Sequence, residues 1–248
     1  MTAIVLVAHG SRDPRSALTM REVGRRVALR WPGGATTAFL DFDTPSVPGA
    51  LRELPIGRPA IVVPALLTKA YHGRIDLPNV LSSVATRTTV TTVLGPAQPG
   101  EMAHPLLLAA LMRRLSELDV SYDGVALIAA GTSDAGARST VEGVARELAS
   151  QVDVACCVGY ASTSSPTAAE AVTRLRASGC RRVVAASYFL APGRLHDAAA
   201  GLARLAGAVG VAAPLGAAPE LVELIATRAA ATSEYGSLNT FACESANL

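Results

Sequence analysis

The stretch Leu6–Asp13, Leu-Val-Ala-His-Gly-Ser-Arg-Asp, recurs in outline 121 residues later as Leu127–Asp134, Leu-Ile-Ala-Ala-Gly-Thr-Ser-Asp. At the same spacing Pro45 lies over Pro166. At one residue more, Ile61-Val62-Val63 lies over Val183-Val184-Ala185. Three coincidences at a nearly constant offset imply a duplicated unit, so the fold must be one that about 120 residues can build twice. The 248 residues then divide into domains at 1–119 and 120–248, joined near Asp119–Asp123, with a cleft between them.

Each copy alternates short apolar runs with stretches of helical spacing. Strands are predicted at 4–7, 38–42, 60–63 and 89–94, and again at 125–129, 154–160, 182–186 and 209–213. Helices are predicted at 16–29, 47–54, 77–85 and 105–118, and at 138–150, 168–177, 195–205 and 219–230. Strands that alternate with helices in this way pair in parallel beneath helices on both faces. The predicted fold class is therefore α/β: two similar flavodoxin-like domains, each with a four-stranded parallel sheet. Pro45 and Pro166 are each read as opening a helix after a strand.

Half of the residues are hydrophobic and only 4% aromatic, so the cores must be built from Ala, Val and Leu. The net charge of +2 comes from scattered basic residues. That argues against a nucleic-acid groove, which needs a stripe of Lys and Arg, but leaves room for a local Arg pocket. Cys156, Cys157, Cys180 and Cys243 form no Cys-x-x-Cys pair and read as small hydrophobes rather than a disulfide or zinc framework. No stretch reaches membrane-span length and no basic segment precedes an apolar one at the start, so a soluble, cytoplasmic protein is expected.

Ligands of such folds gather at the carboxyl ends of the strands. His9 ends the first strand, and the second copy has Ala130 there. His72, in Ala70-Tyr71-His72-Gly73-Arg74, follows the third strand and lies opposite Arg194 of Pro192-Gly193-Arg194. Two imidazoles retained at one edge of one copy suit a divalent metal or proton transfer. Asp41 and Asp43 end the second strand on a shared face, Asp41 as a candidate third ligand or proton acceptor and Asp43 as the cap of the next turn. Gly10, Ser11 and Arg12 form a candidate anion loop, with Arg12 suited to a carboxylate and Asp13 to capping the helix. Neither nucleotide-binding glycine motif is present. His104 reads as a solvated surface position and His196 as structural. Gly-x-Ser-x-Gly is absent, and Ser11 and Ser187 show no acid–base partner in the sequence.

Taken together, His9-Gly10-Ser11-Arg12-Asp13-Pro14-Arg15, Phe39-Leu40-Asp41 with Pro45-Ser46, and Tyr71-His72-Gly73-Arg74-Ile75-Asp76-Leu77-Pro78 resemble the type II chelatases. These enzymes insert cobalt or iron into sirohydrochlorin. The second half is similar to the long, two-domain members in Ala130–Asp134, Ala171–Arg176 and Ser187–Gly193, so the match runs from residue 2 to about 230. The resemblance implies a metal carried by His9 and His72 and a substrate held in the cleft between the halves; because that substrate is a polycarboxylate, Gly10, Ser11, Arg12, Arg74 and Arg194 are expected to bind it. The family has a glutamate where this chain has Asp41. The histidine-rich segment and carboxyl-terminal Cys-x-x-Cys of long cobalt-handling members are missing, which favours iron. The expectation is a sirohydrochlorin ferrochelatase acting as a monomer, with no nucleic-acid or membrane partner. No cofactor is expected beyond the divalent metal substrate, Fe²⁺ or Co²⁺. The alternatives are a cobaltochelatase on the same substrate or a non-catalytic carrier of metal or tetrapyrrole.

Overall fold

A computed structural model describes residues 1–69 and 77–235. The first half contains β1 (Ala3–Ala8), α1 (Pro14–Arg30), β2 (Ala35–Phe39), α2 (Val47–Arg52), β3 (Ala60–Pro64), α3 described over 77–81, β4 (Thr88–Val90) and α4 (Pro105–Ser116). The second contains β5 (Gly124–Ala129), α5 (Ala135–Val152), β6 (Ala155–Tyr160), α6 (Ala168–Ala177), β7 (Val183–Ser187), α7 (Arg194–Leu205), β8 (Gly210–Val211) and α8 (Pro219–Tyr235).

Two four-stranded sheets result, ordered β2-β1-β3-β4 and β6-β5-β7-β8, with every pairing parallel. The central strands β1 and β5 are buried along their whole length. That is why they read as unbroken apolar runs rather than as an alternation. The alternation survives as a choice between two interiors. Ile4 and Leu6 face a core shared by both halves, whereas Val5 and Val7 pack with Val47 and Leu51 on the outer side.

The shared core is built by exchange. The inner face of the first sheet is covered by its own α1 and by α8 of the second half, which packs on β3. The inner face of the second sheet is covered by its own α5 and by α4 of the first half, which packs on β7. Leu107, Leu111 and Leu115 of α4 and Leu221, Leu224 and Ile225 of α8 are at most 1% exposed. Each such side chain contributes roughly 1.5–3 kcal/mol of burial. The relative placement of the two sheets is therefore held by a continuous apolar interior.

Helix starts and strand ends follow the expected chemistry with three corrections. Asp13 caps α1 by accepting from the Arg15 N–H, and Asp134 caps α5 in the same way from Ala137. Pro45 and Pro166, however, do not open helices: each lies in a cis peptide before the capping residue, Ser46 or Thr167. β2 ends at Phe39 rather than continuing to 42, because the chain doubles back and the Phe39 N–H donates to the Pro45 carbonyl (3.0 Å). His104 is not a free surface position; it caps α4, its Nδ1 accepting from the Leu106 N–H (3.2 Å).

Candidate functional site

The candidate site is built where β1 and β2 stop. Beyond the strands the two chains remain zipped together: the Leu40 N–H donates to the Ala8 carbonyl (3.0 Å) and the Asp41 N–H to that of His9 (2.9 Å). This closeness requires glycine at position 10. Gly10 has φ +92°, and a Cβ there would lie 1.7 Å from the Asp41 carbonyl oxygen. The turn that follows is tied by side chains, the Ser11 N–H donating to Asp43 Oδ2 and the Asp13 N–H to Ser11 Oγ, both at 3.1 Å. His9 thus leaves the sheet as an exposed imidazole on a fixed backbone.

The placement of the two aspartates differs from the strand-based expectation. Because the strand has already ended, Asp41 and Asp43 do not share a face. Asp41 is exposed and accepts from the Phe42 N–H (2.9 Å). Asp43 turns back to Ser11 instead of capping the next turn. Arg12 lays its guanidinium over the Phe42 ring, 5.2 Å from the centroid. His72 and Arg74 lie outside the described residues. Among the described residues, no group of three or more His, Cys, Asp or Glu side chains gathers closely enough to hold a metal ion.

The second half meets this edge through a polar chain. Arg15 Nη2 stands 2.5 Å from both Asp13 Oδ2 and Asp197 Oδ2, bridging α1 to α7. The Arg15 hydrogen bond holds the Asp13 carboxyl below the usual carboxylate value, with the charge of Arg194 adding to it. Arg194 is the exposed first residue of α7. Behind Asp197 stand His196 and Ser187, so Ser187 does have an imidazole partner, at 3.2 Å. The trio is not a nucleophilic relay. The Ser187 hydroxyl is buried and donates to the Ala212 carbonyl (2.6 Å), so its proton is engaged there and not with His196 Nε2. Burial depresses the His196 pKa, opposed by the Asp197 hydrogen bond.

A buried tie joins the halves below the edge. The Tyr188 hydroxyl, just after β7, donates to the Leu67 carbonyl (3.0 Å) at the exit of β3. Burial raises the pKa of this phenol, which keeps its proton for that bond. The cysteines behave as small hydrophobes: Cys156, Cys157 and Cys180 are free, and burial pushes the Cys156 thiol up to about 12. Cys243 lies outside the described residues. Phe42, Tyr188, Arg15 and Asp197 carry no role assigned from the sequence, although Arg15 and Tyr188 lie within the matching motifs. At offset 121, though, the sequence already pairs Phe42 with Thr163 and Arg12 with Ser133.

The duplicated parallel α/β fold, matched in both halves by one family profile, places the chain among the class II chelatases. The profile of the CbiX family matches residues 3–118 and again 124–232, and the chain belongs to that family. It is 26% identical over 204 residues to the sirohydrochlorin cobaltochelatase of Priestia megaterium, a match covering 79% of this chain and 66% of that protein, just under two thirds of its length. Two solved structures share the fold. SirB from Bacillus subtilis with Fe³⁺ gives a TM-score of 0.76 at 22% identity, covering 95% of this chain and 98% of SirB. The sirohydrochlorin chelatase SirB of Bacillus subtilis subspecies spizizenii, in complex with cobalt, gives 0.77 at 19%, covering 98% and 100%. Among the described residues no helix is long and apolar enough to cross a membrane.

Proposed function

We propose that this protein is a sirohydrochlorin chelatase that inserts Fe²⁺ into sirohydrochlorin to make sirohaem. The observation that carries the reading is the asymmetry of a duplicated edge. Both halves hold the same turn, with φ +92° at Gly10 and +95° at Gly131, yet only the first carries an imidazole, His9 against Ala130. A scaffold that needed histidine for stability would need it twice.

Insertion requires the macrocycle to give up two pyrrole protons while the metal loses its waters. Imidazole nitrogen suits both tasks: it ligates divalent first-row metals, and it accepts protons near neutral pH. His9 and His72 are assigned to these roles, with Asp41, exposed beside His9, as a second proton acceptor. The guanidinium groups of Arg12, Arg74 and Arg194 would hold substrate carboxylates by charge-assisted hydrogen bonds. Gly10 and Ser11 set the loop that presents Arg12. No cofactor beyond the metal substrate is invoked, and the working unit is taken as a monomer in the cytoplasm, each chain supplying both walls of the cleft.

Cobalt is the second reading, favoured by the cobaltochelatase name of the Priestia megaterium relative. The test is an anaerobic assay of the purified protein with sirohydrochlorin and Fe²⁺, Co²⁺ or Ni²⁺, followed by absorbance. Iron giving the highest kcat/KM supports the first reading, and cobalt doing so replaces it with the second. Stoichiometric binding without turnover reduces the protein to a carrier.

A further inference from the structure

The two halves offer an internal control for the loop edge, because one backbone carries two sets of side chains. Phe42 has φ +61° and Thr163, at the matching position, φ +63°. The Asp43 N–H donates to the Asp41 carbonyl as the Ser164 N–H does to that of Ser162, both at 2.7 Å. The left-handed conformation therefore belongs to the turn and owes nothing to the ring. The ring is a separate choice, and packing does not explain it: Phe42 is 54% exposed in a chain that is only 4% aromatic. It sits next to Asp41 and under the Arg12 guanidinium. Where the second half lacks the ring it also lacks the guanidinium, carrying Thr163 and Ser133.

We propose that Phe42 is a substrate-contacting residue. Together with Arg12 it forms a shelf that seats a flat, carboxylate-rimmed macrocycle at the His9 edge. This rests on the tetrapyrrole reading above and names one residue that gives the site its affinity. A conjugated macrocycle lying against the exposed ring removes apolar surface of both from water and adds a stacking contact. Arg12, held over the ring and exposed to solvent, has its rotamers narrowed while its N–H groups stay accessible to a carboxylate. A bare ring would accept any flat apolar molecule; the guanidinium adds the requirement for an anionic rim.

The experiment uses Phe42→Thr, a side chain this same turn already carries at Thr163, so the backbone has precedent for it. Sirohydrochlorin binding is measured without metal by fluorescence quenching, metallation is measured anaerobically with Fe²⁺ and with Co²⁺, and Co²⁺ binding alone by titration. The variant is expected to raise both Kd and KM about tenfold, equivalent to ~1.4 kcal/mol. The kcat should stay within about threefold, and Co²⁺ binding should be unchanged, since loss of a binding contact made equally in ground and transition states leaves kcat alone. Arg12→Ser combined with Phe42→Thr should cost less than the two separate effects multiplied, because the groups act as one stack. A Kd and KM within about twofold of the parent overturn the proposal. Should the parent bind sirohydrochlorin without inserting metal, the chelatase reading fails while the Kd comparison still decides the role of Phe42. A parent that does not bind it overturns both.

Discussion

Two buried tyrosines, one in use and one not, give a sharp test of how the halves are joined. Tyr188 and Tyr160 are 4% and 1% exposed. The Tyr188 hydroxyl donates across the two halves to the Leu67 carbonyl at 3.0 Å. Among the described residues the Tyr160 hydroxyl has no hydrogen-bond partner, and burial pushes that phenol up to about 12. Phenylalanine removes a single oxygen at either site, so the cavity cost is small and the polar cost decides. At position 188 the loss is a hydrogen bond plus a half-buried carbonyl left without its donor, about 2 kcal/mol. For a chain of this size that corresponds to a fall in Tm of about 4–8 °C. At position 160 an unpaired hydroxyl is removed, and its desolvation cost with it, so Tyr160→Phe should leave Tm unchanged or raise it by a few degrees. The repeat supports this, since Phe39 occupies the matching place. Thermal and urea unfolding followed by circular dichroism measure both. A Tyr188→Phe variant within about 1 °C of the parent, or equal losses at both sites, would refute the reasoning.

Other outcomes follow from the same geometry. Gly10→Ala should cost well over 2 kcal/mol in urea unfolding, because it adds a backbone collision to the left-handed penalty of about 1–2 kcal/mol. Gly57→Ala, with φ +77° and nothing within 4 Å of the new Cβ, should cost that penalty alone. His104 has its pKa lowered below 6.5 by burial and then by the charge of Arg228. The neutral form therefore favours the folded state, and its contribution is present above pH 6.5 and lost as pH falls through the depressed folded value. His104→Asn, which keeps a capping acceptor without the titration, should flatten the Tm–pH profile below pH 6.5; an unchanged slope there would assign the dependence to another group.

Much of the fold was legible because the duplication left its mark on buried strands. β1 and β5 are apolar throughout, and β7 is apolar up to Ser187, so none can be mistaken for an amphipathic edge. The exchange of α4 and α8 was not legible, since an apolar stripe tells that a helix is covered but not by which sheet. Leu40 and Phe42 extended the apolar run of β2, yet the backbone had already turned at Phe39 to meet Pro45. His104 escaped notice because histidine is an uncommon cap. Ser187 lacked a visible partner because His196 comes back to it only after the loop and first turn of α7. Of the candidate site, His9, Gly10, Ser11 and Arg12 were readable as a motif at a strand tip. Phe42 was visible only as a difference between repeats, and Tyr188 only through a contact that spans the two halves.

The central claim is that metal insertion belongs to the histidine-bearing edge of the first half. Turnover of sirohydrochlorin with Fe²⁺ or Co²⁺ by His9→Ala and His72→Ala tests it most directly, with Tm and circular dichroism run on the same samples. Folded variants that bind sirohydrochlorin but insert no metal are the predicted result. Parent-like turnover by both variants would contradict the account.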